Sequence, residues 1–189
     1  MSLFYYFNMK SLTESLFDRD LVTKDAYQYH PKIKYELRSI IEKELEIQGP
    51  DANLNIIDVS KITNMSALFK YLDIKNIDIS EWDVSNVKDM SSMFSGCFNF
   101  MGNGLDKWDV SKVKDMSSMF SSCYHFNCDI SNWDIKNVKY MAFMFFNCES
   151  FDQDLSSWDI KKAVDAPRKL YNMFHGCNKM KPEQLPSIA

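Results

Sequence analysis

From Ile57 onward the chain repeats one segment five times, with units that open at Ile57, Trp82, Trp108, Trp133 and Trp158, spaced by 25, 26, 25 and 25 residues. The units read IDVSKITNMSALF, WDVSNVKDMSSMF, WDVSKVKDMSSMF, WDIKNVKYMAFMF and WDIKKAVDAPRKLYNMF, the last with four extra residues before its Met-Phe pair. A period of about 20–50 residues indicates stacked supersecondary units. No such unit buries its apolar face alone, so each packs on its neighbours and the array needs several copies.

Within a unit, the run through the Trp-Asp dipeptide (IDISEWDV, CDISNWDI, QDLSSWDI) alternates and is rich in β-branched residues, as a short strand would be. The run from Val87 to Phe94 predicts a turn and then one or two helical turns, with Met90, Met93 and Phe94 on the buried side. Strands stacked about 4.8 Å apart would form a parallel ladder with helices on the opposite flank. The expected fold class is an α/β repeat solenoid of about five strand, turn and short-helix units.

The segment before the repeats differs in kind. Residues 32–47 place Ile33, Leu37, Ile40, Ile41 and Leu45 at helical spacing, with Pro31 suited to the first turn and Gly49-Pro50 as a stop. An earlier helix over residues 10–18 would carry Leu12, Leu16 and Phe17 on one face. Solenoid ends need a cap with a polar outer side. The expected organisation is a leader or alternative start at 1–9, a helical N-terminal cap at 10–56, the five units at 57–181 and a tail at 182–189.

With 46% hydrophobic and 14% aromatic residues, the 189-residue chain suits one elongated domain with a continuous core. A net charge of −4 without a basic run supplies no long-range field for a polyanion, which argues against nucleic acid as a partner. No run approaches the roughly 20 apolar residues of a membrane span, and the opening MSLFYYFNMK lacks the features of a signal peptide. A cytoplasmic protein is expected, with a surface or virion location as the alternative.

Cys97, Cys123, Cys148 and Cys177 share one column, three positions after the Met-Phe pair, where the first unit has Leu72. A leucine there marks the site as apolar and the cysteines as buried structural thiols. Cys128 lies off the column. The aspartates after the Trp position, Asp58, Asp83, Asp109, Asp134 and Asp159, could suggest a calcium ladder, but calcium-binding repeats need glycine-rich loops and this chain has five glycines. Asx-turns explain them better. Cys123, His125, Cys128 and His175 include zinc-type ligands without the compact pairs of a structural site. No catalytic motif, metal or cofactor is expected.

Candidate contacts are the positions that change while the scaffold repeats. One column before the Trp reads Glu81, Lys107, Asn132 and Ser157; another after it reads Lys61, Asn86, Lys112, Asn137 and Lys162. A lysine column, Lys88, Lys114 and Lys139, is continued by Arg168 and could meet an acidic partner. The fourth unit has Tyr140, Phe143 and Phe146 where units two and three have Asp, Ser and Ser. Aromatics on a face left polar by the sibling units have the character of a binding hot spot. The bland alternative is that the inserted residues around 163–167, or the tail KPEQLPSIA, fold over them.

The recurring W-D-[VI]-S-x-V-x-x-M-S-x-M-F pattern, clearest at 82–100, 108–127 and 133–151, resembles the BspA-like branch of leucine-rich-repeat-type proteins. The resemblance covers about two thirds of the chain and implies a leucine-rich-repeat-like stack used for protein or surface recognition, without a catalytic centre. Many relatives are exported surface proteins, and this chain departs from them in its opening. KSLTESLFD resembles the start of short intracellular forms in gut Bacteroides-type bacteria and their phages. The expected function is a non-enzymatic protein-protein interaction module of bacterial or phage origin, with inhibition of a host defence protein as one such role. The alternative is a structural or adhesive surface or virion protein that self-assembles.

Overall fold

A computed structural model describes residues 27–160, 163 and 171–186 of the chain. The expected helix over residues 10–18, the possible leader, Lys162 and Arg168 lie outside the described residues.

Successive units stack through main-chain hydrogen bonds, and one stretch shows the rule. The N–H groups of Met90, Ser92, Phe94 and Gly96 donate to the carbonyls of Asp115, Ser117, Met119 and Ser121 in the next unit, at 2.9, 2.8, 2.9 and 2.8 Å. Between them, the N–H groups of Met93, Ser95 and Cys97 reach back three residues to Met90, Ser92 and Phe94 at 3.1, 3.1 and 3.0 Å. Every second donor thus bridges units and the others close turns. An α-helix would commit every N–H to a carbonyl four residues back. Left-handed residues also bar it: Ser92 has φ +56° and Gly96 φ +74°, and the equivalent Ser118 and Ser122 have +57° and +61°.

The expected α/β solenoid of strand and short-helix units is therefore incorrect. Among the described residues there is one α-helix, α1 (Lys34–Gln48), with short 3-10 turns at Leu105–Lys107 and Pro182–Gln184. Among these residues no sheet forms, and pairing is limited to isolated parallel bridges: Tyr29 with Ile57, Asn53 with Asp78, Asn64 with Asp89, Asp89 with Asp115, and Asp115 with Tyr140. The reason lies in the turns. Those that bond i to i+3 bring Met90, Met93 and Phe94 to the inside together, so their spacing mimics a helix. Asx-turns at Asp78 and Asp83 interrupt the alternating IDISEWDV run before a strand can extend.

The interior is a set of ladders. With successive units bonded main chain to main chain, each Phe of the Met-Phe column lies against the next: Phe69, Phe94, Phe120, Phe145 and Phe174 have centroid separations of 5.1, 5.7, 5.7 and 5.5 Å. A second ladder, Phe100, Phe126 and Phe151, packs against it. The buried indoles of Trp82, Trp108 and Trp133 donate to the carbonyls of Leu54, Ile79 and Leu105 at 3.0, 3.1 and 2.9 Å. The Trp158 Nε1 has no acceptor among the described residues.

The amphipathic pattern at 32–47 forms α1, which places Leu37 and Ile41 in the same core as the repeats. Pro31 precedes the helix, whose N-cap is Ile33, and Gly49 closes it with φ +82° and an N–H bond to Leu45. Glu44, on the buried face of α1, accepts from Tyr29 at 2.7 Å and Gln48 at 2.6 Å. No helix among the described residues is long and apolar enough to cross a membrane.

Candidate interaction surface

The repeated aspartates serve the chain's own backbone. Asp58, Asp83, Asp109 and Asp134 accept the N–H two residues on at 3.0, 3.1, 3.0 and 3.3 Å, as Asx-turns do. Asp89, Asp115, Asp129 and Asp154 repeat the device. Bonds from Ser111, Ser131 and Ser156 hold the carboxyls of Asp109, Asp129 and Asp154 below the usual carboxylate range. At Asp58 burial opposes ionisation, but hydrogen bonds from Ser60 and His30 outweigh it and lower the pKa.

The thiol column is buried and points at main chain. Cys97, Cys123, Cys148 and Cys177 donate from Sγ to the carbonyls of Phe69, Phe94, Phe120 and Phe145, each at 3.0 Å. Burial pushes the Cys97 thiol up to about 12 and Cys177 to about 11, and raises Cys123 and Cys148 well above the ordinary value. Each sulfur thus supplies a weak donor to the neighbouring unit, a role the sequence column alone did not reveal. The zinc-type candidates are not gathered: Cys123 is inside, His125 is exposed and His175 stacks on Phe146 at 5.3 Å. Among the described residues no three His, Cys, Asp or Glu side chains converge as metal ligands.

Of the aromatic substitutions of unit four, Phe143 and Phe146 come together with each other and with unit five. Phe143 meets Phe146 edge-on at 5.7 Å and Tyr171 edge-on at 5.3 Å, while Phe146 lies flat on His175. Unit five therefore covers part of Phe143 and Phe146 through Tyr171 and His175. Of the two expected covers, around 163–167 and the tail, residues 164–167 and 187–189 lie outside the described residues, Ala163 is buried in the core, and Gln184 of the tail is joined to Asp152 and Leu155. Tyr140 and Tyr171 stay open at 47% and 56% exposure. Phe143 has φ +59°, a conformation bulky residues rarely take. Its N–H bond to the Tyr171 carbonyl at 2.9 Å and its own carbonyl's bond from Phe146 hold it there.

The polar columns divide into two kinds. The one before the Trp is tied between units: Lys107 pairs with Glu81 at 3.9 Å, and Asn132 donates to the Asp106 carbonyl at 2.8 Å. In the column after it, Asn86 and Asn137 donate to the carbonyls of Ser60 and Ser111 at 3.0 and 2.8 Å, and Lys112 donates to Asn86 at 3.0 Å. Lys88, Lys114 and Lys139 are exposed, and their backbones are joined unit to unit.

Sequence reasoning overlooked a second aromatic surface. Phe98 and Tyr124 are exposed and stack at 5.3 Å, and exposed Tyr71 lies over Gly96 in the neighbouring unit. The available signal was the column Asp73, Phe98, Tyr124 and Glu149, in which two aromatics interrupt acidic positions.

No curated protein and no solved structure matches the chain. A family profile described as "Mycoplasma protein of unknown function, DUF285" matches residues 37–103 and 63–185, which together take in most of the chain. The repeat stack described above belongs to that family.

Proposed function

We propose that this chain is a non-enzymatic protein-binding module that presents a fixed surface to a macromolecular partner. The observation that carries the reading is the aromatic patch at units four and five. Tyr171 is exposed and meets the partly covered Phe143, which with Phe146 and His175 lies on main chain bonded between units, and unit four also exposes Tyr140 at 47%. Exposed tyrosines on an already ordered support lose little conformational entropy on contact, which is the character of a hot spot. The resemblance of the repeats to BspA-like proteins supports the same class of role.

The alternative, a protein that self-assembles end to end, meets an obstacle at the first unit, where α1 occupies the edge that a second copy would need.

The reading is tested by capture from a lysate of the source cells, comparing the native chain with Tyr140→Asp/Tyr171→Ala and with Tyr140→Asp/Phe143→Ser/Phe146→Ser. The first variant changes only exposed rings, so it keeps its fold if the triple variant does not. Proteins captured by the native chain and lost with the first variant support the proposal. Capture unchanged in both variants, or turnover of a substrate by the purified chain, overturns it.

A further inference from the structure

Beside the bridged column of Asn64, Asp89, Asp115 and Tyr140, the stack carries a two-column grid rich in lysine. Val87, Val113 and Val138 are buried, so the residues on either side of each point outward: Asn86 and Lys88, Lys112 and Lys114, Asn137 and Lys139. Lys61 and Thr63 flank buried Ile62 in the first unit in the same way. The main chain fixes the lysines one above another, since the N–H of Lys114 donates to the Lys88 carbonyl at 2.9 Å and that of Lys139 to the Lys114 carbonyl at 2.8 Å. The rungs are about 4.8 Å apart. Ser60, Lys61, Thr63, Asn86, Lys88 and Lys112 line a shallow open groove of about 520 Å³ at one end of this grid.

The contrast with the rest of the surface gives the grid its meaning. Lys107 is paired with Glu81, Lys136 with Asp134 and Arg38 with Glu42. Lys61, Lys88, Lys112, Lys114 and Lys139 form no ion pair with a carboxylate among the described residues. In a chain of net charge −4 these five lysines gather cationic groups in one place, with Asp89, Asp115 and Asp109 beside them committed to Asx-turns.

We propose that this grid is a docking face for an acidic, extended polypeptide segment running along the stack. The proposal deepens the reading of the chain as a binding module, on which it rests, by naming a face and a partner chemistry. An extended chain presents alternate side chains on one side about every 6.8 Å. Flexible lysine stems on rungs about 4.8 Å apart reach carboxylates at that spacing. Nucleic acid suits the grid less well, because the column beside the lysines reads Asn64, Asp89, Asp115 and Tyr140, which gives one ring where successive bases need several and carboxylates where phosphates would lie.

The test titrates the full chain with a fluorescent synthetic peptide of alternating glutamate and serine, at low and at physiological salt. The comparison variants are Lys88→Gln/Lys114→Gln/Lys139→Gln and the charge-matched Lys32→Gln/Lys75→Gln/Lys179→Gln, which removes exposed lysines away from the grid. The expected result is a loss of about tenfold in affinity for the grid variant and less than about twofold for the control, with binding weakened by salt. The uncharged Tyr171→Ala variant, which alters the aromatic patch away from Lys139, is expected to bind the peptide as the native chain does. Failure of the grid then leaves the aromatic patch standing, and the reverse also holds. Equal losses in the two lysine variants, no binding at low salt, or tighter grid-dependent binding of an oligothymidylate would each overturn the proposal.

Discussion

The guanidinium of Arg38 donates from Nη1 to the carbonyl of Leu68 at 2.7 Å and reaches that of Lys70 at 3.4 Å. In later units the same two columns are Met93 and Ser95, whose carbonyls accept the N–H groups of Phe69 and Tyr71 from the unit before. At the first unit a side chain from α1 takes the place of that missing main chain, and Lys34 bonds the Ser66 hydroxyl beside it. Helix α1 caps the repeats by donating hydrogen bonds as well as by burying Leu37 and Ile41.

Arg38→Ala should therefore destabilise the fold by about 1–3 kcal/mol, the cost of leaving acceptors without a donor. Arg38→Lys, with a charged but single-point donor, should recover part of the loss. Urea unfolding midpoints measure both. An unchanged midpoint for Arg38→Ala would mean that water serves these carbonyls equally well.

The thiol column predicts unequal reactivity. With Cys97, Cys123, Cys148 and Cys177 buried and their pKa values raised by burial, the folded chain at about pH 8 holds almost none of them as thiolate. Ellman's reagent should label the partly buried Cys128 slowly and the other four only after denaturation. Fast labelling of the column in native buffer would contradict the packing described.

Acid should weaken the stack. Asp58, Asp78, Asp109, Asp129 and Asp154 all have folded pKa values below the ordinary one. Their contribution is complete above the unfolded value of about 3.9. It is lost as pH falls from there through the folded values, because the unfolded chain takes up protons first. The melting temperature should be level from about pH 7 to 5 and drop below about pH 4. Asp109→Asn, which keeps an Asx-turn acceptor without the charge, should flatten that drop slightly; a profile unaltered down to pH 3 would count against these turns as the acid-sensitive element.

Gly96 tests the contact between neighbouring units. Its left-handed φ of +74° matches that of Ser122, at +61° in the same column, so the backbone there accepts a serine. A Cβ at Gly96, however, would come within 2.3 Å of the Tyr71 ring. Gly96→Ser should cost about 1 kcal/mol, and Tyr71→Ala should remove most of that cost, giving a non-additive cycle in thermal melts. Additive effects would show that the ring moves aside freely.

Much of this arrangement was legible from the chain. The spacing of the five Trp-type starts defined the units, the Leu72 substitution marked the cysteine column as apolar, and the spacing from Ile33 to Leu45 located α1. Each of these signals is the pattern of side chains facing inward, which composition and period carry directly. The aspartates were readable as Asx-turns because that bond closes within two residues.

The secondary structure was not legible, and the reason is physical. A turn of the i to i+3 kind buries Met90, Met93 and Phe94 as a helix would, so periodicity cannot separate the two. What separates them is where the alternate N–H groups go, and those of Ser92, Phe94 and Gly96 go to carbonyls about 25 residues away that exist only once the units are stacked. The same holds for Arg38, whose acceptors at Leu68 and Lys70 are about 30 residues distant, and for Tyr171 and His175 against Phe143 and Phe146. The sequence by itself determined which side chains face the core and how often they recur. Only the tertiary structure decided what the backbone donors bond to, because neighbours in the stack are partners remote in the chain.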